Sequence, residues 1–167
     1  LYNIFIRRDD LMATYKVAGV GEHGKFFDGN SYQDAINYIC NPQKAAFVGG
    51  CNVTSADTAA MEMQKTAVAF GKDKGKRVRH SIISFDQREH VTPAQANDYA
   101  RKIIQHYAPE YETVYAVHDN TDEVHIHLIM NQISYIDGHR YGGKKKDYYD
   151  FRRHIQRVTH LPVIPVK

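Results

Sequence analysis

The feature that most constrains the fold is a pair of apolar stretches, residues 113–118 and 124–134, joined by the polar residues 119–123. A short polar link between two such stretches predicts an antiparallel β-hairpin. Side chains alternate between the two faces of a strand, and the intervening apolar residues of the second stretch are predicted to point into a core. Its other face carries four residues: His125, His127, Ile129 and Asn131.

Three histidines are expected to meet on this hairpin. If it is symmetric about the 121–122 link, His118 lies opposite His125 with Cβ atoms roughly 5 Å apart, and the small Ala116 lies opposite His127. Imidazoles suit zinc, manganese, nickel or copper, whereas water and phosphate oxygens in the remaining positions favour magnesium or manganese. We therefore predict a divalent ion on His118, His125 and His127: Mg²⁺ or Mn²⁺, with Zn²⁺, Ni²⁺ or Co²⁺ as alternatives. The competing interpretation is that these histidines are simply exposed on a half-buried strand.

The rest of the chain alternates between strand and helix patterns. Strands are predicted at 14–20, 47–53 and 78–85, and helices at 31–40, 55–70, 92–107 and 146–160. The strongest helix start is the tetrapeptide 92–95, Thr-Pro-Ala-Gln, which has a capping threonine, a proline at the first helical position and a glutamine three residues after the cap. The expected fold is α+β, an antiparallel sheet with helices packed on it, in a single domain of residues 1–167.

Cysteine usage and apolar runs indicate the cellular compartment in which we expect the protein. Cys40 and Cys51 lack the paired spacing of a zinc site, so a reducing cytoplasm is the expectation. No apolar run approaches the roughly twenty residues of a membrane span, and no secretory leader is visible, so we expect no contact with a membrane. Residues 1–11 precede the first methionine, Met12, and are interpreted as an upstream extension or a remnant of cloning.

Basic residues gather in two stretches, residues 72–79 and 140–157, although the formal net charge is only +3. Such stretches suit a polyanionic partner, and the tyrosines at 141, 148 and 149 add aromatic surface on which bases can stack. The alternative interpretation is that the two stretches are ordinary solvent-exposed surface. The candidate DNA contacts are Lys44, Lys74, Lys76, Arg77, Arg79, Arg140, Lys144, Lys145, Lys146, Arg152 and Arg153.

Five further polar residues are candidates for supporting the histidines. Asp119 and Asp122 lie in the hairpin link, where they could accept hydrogen bonds from the outer ring nitrogens or serve as ordinary turn residues. His80 and Ser84 share one face of the predicted strand 78–85, and could contact phosphate, support the ligands or pack in the sheet. Asn131 follows the ligands on their face, and could support them, contact a DNA phosphate or lie at the sheet margin.

Three motifs resemble those of one protein family. His118, the run His125-Ile126-His127 and the following Asn131 resemble the third motif of relaxases of the MOBP class, within the HUH endonuclease superfamily. Residues 37–39 with 41–44 look like the first motif, in which a helix-borne tyrosine precedes a short loop and a lysine. Residues 79–85, followed by the helix that starts at 92, are similar to the second motif. The resemblance spans roughly residues 13–160.

This resemblance implies a relaxase fold of the HUH/RRM-like type, with a five-stranded antiparallel sheet, an ion on the three histidines and Tyr38 as nucleophile. It implies nicking at an origin of transfer through a covalent 5′-phosphotyrosyl intermediate, during conjugation or mobilisation of a plasmid, transposon or integrative element in a bacterial cytoplasm. The implied partners are an origin hairpin with its single strand, a relaxosome accessory protein and a coupling protein. Relaxases usually carry further domains, so we expect this chain to be an N-terminal fragment.

Alternatives remain at two levels. Tyr32 competes with Tyr38 for the nucleophile role, and His23 is a third candidate because some related mobilisation enzymes use histidine. For the whole chain, the rivals are an HUH replication initiator or transposase, a non-catalytic nucleic-acid binding module, and a metal hydrolase in which water attacks a small phosphoester.

Overall fold

The computed structural model describes residues 11–18 and 26–166, which form an α+β fold around one sheet. The strands are β1 (Ala13–Ala18), β2 (Ala45–Cys51), β3 (Val78–Phe85), β4 (Thr113–His118), β5 (His125–Asn131) and β6 (Val163–Pro165). Their order across the sheet is β2-β4-β5-β3-β1-β6. The helices are α1 (Ser31–Ile39), α2 (Ala56–Ala69), α3 (Pro93–Ile103) and α4 (Lys145–Thr159). In this part of the chain, none of the helices has the length and apolar character needed to cross a bilayer.

The hairpin has the predicted register. β4 and β5 pair antiparallel, with His118 opposite His125 and Ala116 opposite His127. Because the two strands are joined by a short link, pairing at the first residues beyond the link fixes all the later pairs. The predicted capping of α3 is also confirmed: Gln95 N donates to Thr92 Oγ1 at 3.2 Å, and Thr92 N donates to Gln95 Oε1 at 2.9 Å.

The sheet contains one more strand than the five expected. β1 to β5 pair antiparallel as predicted, whereas β6 pairs parallel to β1 over three residues, so the sheet is mixed. No strand is predicted after the helix at 146–160. Proline is tolerated on an edge strand because one side of that strand needs no ladder hydrogen bonds, and β6 forms such an edge.

Helices cover both faces of the sheet, but to different extents. On one face, Ile126 and Leu128 pack in a cluster with Ile103 of α3 and Phe151 of α4. On the other face, Ile129 packs under α1 and α2 in a second cluster. Helices α1 and α2 cover only part of this face. The histidine end of β5 and the neighbouring parts of β1 and β3 remain uncovered and line a cleft.

One side of α1 is buried, and this fixes the position of the helix beside the sheet. Ala35, Ile36 and Ile39, which helical spacing places on one side of α1, are buried together with Tyr32. The helix ends before Asn41, whose carbonyl accepts from the backbone N–H groups of residues 44 and 45, so the chain enters β2 after a short turn. The last turn of α1 is thereby held beside the histidines of β4 and β5.

Candidate active site

The three predicted ligands converge in the structure. Each of His118, His125 and His127 offers a ring nitrogen, and these nitrogens lie within 4.8 Å of one another. The ring centroids of His118 and His127 are 4.3 Å apart, and that of His125 is 5.2 Å from His118 and 5.0 Å from His127. Such a cluster has the donor type and the spacing to hold one cation.

Each of these rings makes one hydrogen bond that orients it. His118 Nε2 donates to the carbonyl of Ile39 at 2.6 Å, and His125 Nδ1 donates to the carbonyl of Glu123 at 2.9 Å. His127 Nδ1 is 2.8 Å from Nε2 of His80. The nitrogens left for an ion are therefore Nδ1 of His118 and Nε2 of His125 and His127, since a ring nitrogen that donates cannot coordinate.

These partners correct the prediction that Asp119 and Asp122 orient the rings. Both aspartates are exposed in the hairpin link, and the orienting partners are backbone carbonyls and His80. The physical reason is local for His118, because Ile39 is the last residue of α1 and its carbonyl has no partner within the helix. A carbonyl already held at that place satisfies the ring without ordering a loop side chain.

The protonation of the cluster suits ligation. Burial, together with the neighbouring His80, His118, His125 and Lys44, lowers the pKa of His127 to about 2. Burial is also the main cause that lowers the pKa of His118 below its ordinary value. Both rings are therefore neutral near pH 7, which is the form that can donate a lone pair to a cation.

Tyr38 lies beside this cluster. Its side chain is 56% exposed, and its ring meets the rings of His80 and His127 edge to face with centroid separations of 6.0 Å each. The ammonium of Lys44 lies 5.5 Å from the centre of the Tyr38 ring. An accessible phenol, a cation and three potential ligands thus share one cleft.

The competing nucleophiles are placed differently. Tyr32 is 2% exposed, and its hydroxyl donates to Asp73 at 3.4 Å. Burial raises the pKa of the Tyr32 phenol well above its ordinary value, so its phenolate is disfavoured. Tyr32 is absent from the cleft that holds the histidines. His23 lies outside the residues that the structure describes.

The cleft has a volume of about 490 Å³ and opens over the part of the sheet that α1 leaves uncovered. Ser84 lies in its floor on β3, paired with His125 of β5. The cleft residues are Thr14, Lys16, Tyr38, Lys44, Ile82, Ser84, His118, Asn120, Thr121, Glu123, His125, His127 and Val166. Lys16 and Thr14 were missed by the sequence interpretation. The signal was available, since their alternation with Ala13 and Tyr15, both buried, assigns them to the opposite face of β1.

Asn131 requires a correction. It is fully buried, and its amide donates to Met63 O at 3.0 Å and to Glu112 Oε2 at 2.7 Å. It shares the histidine face of β5, but it lies two pleats beyond His127, where α2 covers the sheet. Its side chain therefore supports packing between α2 and β5, and it is not available to an ion or a DNA phosphate.

Part of each basic stretch has a structural role. Arg77 Nε donates to Asp73 at 2.9 Å with only 11% of its side chain exposed, and Arg140 donates to the carbonyls of Lys72, Lys74 and Lys76. These arginines hold the loop before β3 in place, so we expect them to support this loop more than to bind DNA. The guanidinium of Arg79 is largely buried and lies 5.2 Å from the ring centre of Tyr141, and the same expectation applies to it.

Most of the second basic stretch lies on α4, on the sheet face opposite the histidines. Lys146 and Arg153 form ion pairs with Asp150, and Lys145 and Arg152 lie against the ring of Tyr149. Lys144 and Lys74 are exposed. Of the predicted DNA contacts, Lys44 is the one found in the cleft with the histidines.

Known proteins resemble this chain in sequence. Residues 38–160 match the family described as relaxase, MobA/VirD2-like, nuclease domain. A "Protein rlx" of Staphylococcus aureus is 28% identical over 156 residues, which cover 92% of this chain and 43% of that protein. A "Group II intron-interrupted relaxase LtrB" of Lactococcus lactis subsp. cremoris is 27% identical over 116 residues, 69% of this chain and 20% of that protein. The chain therefore spans less than half the length of these relatives.

Proposed function

Because the chain belongs to the MobA/VirD2-like relaxase nuclease domain family, we propose that it nicks one DNA strand at an origin of transfer, with Tyr38 as the nucleophile and a divalent ion on three histidines. The single observation that carries this proposal is the placement of an exposed tyrosine ring 6.0 Å from the ring of His127, inside the cleft where the three imidazoles converge. The names of the relatives, a relaxase among them, support the same role.

The residues present fit a divalent ion. Three imidazoles converge, and a hydrogen bond on the outer nitrogen of each ring holds it in orientation. When bound, the ion polarises a non-bridging oxygen of the phosphodiester and stabilises the charge of the displacement. We propose Mg²⁺ or Mn²⁺, with Zn²⁺, Ni²⁺ or Co²⁺ as alternatives, since phosphate and water oxygens complete the coordination.

Tyr38 Oη attacks the phosphorus, the bond to the 3′ oxygen breaks, and the downstream DNA segment stays on the tyrosine through its 5′-phosphate. The phenol loses one proton and the leaving 3′ oxygen gains one, so the exchange is balanced and the phosphodiester energy is kept for later rejoining. The ammonium of Lys44 lies beside the ring, where it stabilises negative charge on the phenolate oxygen or the phosphate. His80 holds the ring of His127 and acts as a positioning residue.

This reaction serves the transfer or mobilisation of a plasmid, transposon or integrative element in a bacterial cytoplasm. The DNA partner is an origin hairpin with its adjoining single strand, and the protein partners are a relaxosome accessory protein and a coupling protein. Of the predicted contacts outside the cleft, the side chains still suited to the hairpin backbone are Lys74, Lys76, Lys144, Lys145, Lys146, Arg152 and Arg153.

A nicking assay tests the nucleophile. Supercoiled plasmid that carries the origin of the parent element is incubated with protein and Mn²⁺, and the products are run on a denaturing gel. The wild type is expected to give a nick and a covalent protein–DNA band, and Tyr38→Phe to give neither. Tyr149→Phe, an exposed tyrosine on α4, is the matched control and keeps both products.

The same gel separates the rival functions. A covalent band formed by Tyr38→Phe and lost in Tyr32→Phe moves the nucleophile to Tyr32. A nick without any covalent band indicates hydrolysis by water, and binding without a nick indicates a non-catalytic module. EDTA is expected to abolish the nick, and adding back each cation in turn identifies the one used. A replication initiator or transposase shares this chemistry, and is recognised by a nick at a replication origin or element end.

A further inference from the structure

The cleft continues past the histidines toward β1, and this extension has its own polar side chains. Lys16 pairs with Ile82 of β3, and Ile82 pairs with His127 of β5, so these three residues form one row across the sheet. A second row contains Thr14, Ser84 and His125. All of these residues line the cleft. The two rows therefore connect the candidate ion site to an exposed lysine and two hydroxyl groups.

The spacing separates Lys16 from the reacting phosphate. Neighbouring strands lie about 4.8 Å apart, so the Cα atoms of Lys16 and His127 are about 10 Å apart, and side chains stand roughly perpendicular to a sheet. An ammonium held there is offset to one side of a phosphate on the histidines. That offset suits a phosphate further along the same DNA strand.

The chemistry of the extension suits a phosphodiester backbone. The Lys16 ammonium supplies charge, the Thr14 and Ser84 hydroxyls supply hydrogen-bond donors, and half-buried Ile82 gives an apolar floor for a sugar or an unpaired base. Glu123 also lines the cleft, and it precedes β5 beyond the row of Thr14, Ser84 and His125. Its negative charge therefore favours a phosphate on the Lys16 side of that row.

We propose that Lys16, Thr14 and Ser84 form a binding subsite for one backbone phosphate of single-stranded DNA, one or two nucleotides from the cut and on one side of it only. This inference rests on the proposed nicking function and adds the path of the strand to it. Lys44 lies at the opposite end of the cleft, beside Tyr38, so the DNA crosses the strands of the sheet from Lys44 to Lys16.

Binding of a single-stranded oligonucleotide across the nick tests the subsite. The measurement uses Tyr38→Phe protein with Mn²⁺, so that cleavage does not intervene. Adding Lys16→Ala is expected to weaken binding about tenfold and to reduce the slope of log affinity against log salt by about 0.7, the contribution of one phosphate contact on a single strand. Lys16→Arg keeps most of the affinity. The matched control is Lys65→Ala, an exposed lysine on α2 outside the cleft, which leaves both values unchanged.

A double-mutant cycle between Lys16 and single DNA phosphates locates the contact. Neutral methylphosphonates replace, one at a time, the scissile phosphate and the first and second phosphates on each side of it. At one of the four flanking positions the modification is expected to weaken binding to the protein with Lys16 and to have little further effect in Lys16→Ala. Independent effects at all four positions, or coupling at the scissile phosphate itself, would overturn the subsite.

Failure of the subsite is distinct from failure of the proposed function. A wild-type protein that nicks DNA without any coupling at Lys16 rejects the subsite and keeps the nicking function. A wild-type protein that neither nicks nor binds the origin strand rejects the proposed function, and the subsite with it. In the nicking assay, Lys16→Ala is expected to raise the DNA concentration that gives half the maximal rate about tenfold, because the subsite contributes to binding of the strand.

Discussion

The cleft and the two basic stretches differ in how their charge is distributed along the chain. The cleft takes its lysines from distant positions, Lys16 on β1 and Lys44 before β2, with no other basic residue beside them in sequence. In the stretch before β3 the charges lie close together in sequence, yet Arg77 is held by Asp73. The α4 stretch lies on the other face of the sheet. Charge density along the sequence is therefore a poor guide to the charge that surrounds the reacting group.

The largest effect is expected from His80, whose Nε2 lies 2.8 Å from Nδ1 of His127. His80→Phe removes that hydrogen bond, and loss of a partner that orients a ligand typically costs about 10- to 100-fold in metal affinity. Mn²⁺ affinity measured by calorimetry should fall by this factor, and His80→Gln should recover part of it.

His90→Asn is the control, because this exposed histidine lies outside the cleft and asparagine tolerates its left-handed backbone. Thermal unfolding of each protein shows that the fold is retained. An unchanged Mn²⁺ affinity in a folded His80→Phe protein would show that the ring of His127 does not need His80 to orient it for binding an ion.

A smaller effect is expected from Lys44, and it tests directly whether the cleft and the basic stretches have different roles. Lys44→Ala removes the cation beside Tyr38 and should lower the nicking rate at saturating DNA about tenfold. Lys145→Ala removes an exposed charge on the opposite face and should leave that rate within about twofold, with any effect limited to DNA affinity. Single-turnover nicking at several DNA concentrations separates the two quantities. Equal losses of rate in both variants would mean that the two regions act on the same chemical step.

The smallest effect on DNA is expected from Arg140. Its guanidinium donates to three backbone carbonyls of the loop before β3, so Arg140→Ala should lower the free energy of unfolding by about 2 kcal/mol. DNA affinity of the folded protein should stay unchanged. Urea unfolding and DNA binding below the transition check the two values. A loss of DNA affinity with unchanged stability would return Arg140 to the DNA contacts.

Much of the fold was predictable because it depends on local patterns. Alternation along β5 and a short link to β4 were enough to place His118 opposite His125, and helical spacing identified the buried face of α1. The sixth strand was not predictable in this way. β6 has only three residues, the last of which is Pro165, and its pairing with β1 depends on α4 returning the chain to that edge.

The sequence by itself determined that three imidazoles meet on one hairpin, because side-chain alternation and a short link leave a single register. Only the tertiary structure decided what surrounds them: the carbonyl of Ile39 and the ring of His80 lie 79 and 47 residues away along the chain from the histidines they contact. The placement of Lys16 and Lys44 in the cleft, and of α4 behind the sheet, has the same cause. Contacts between elements far apart in sequence depend on how whole helices and strands pack, which no local pattern of residues specifies.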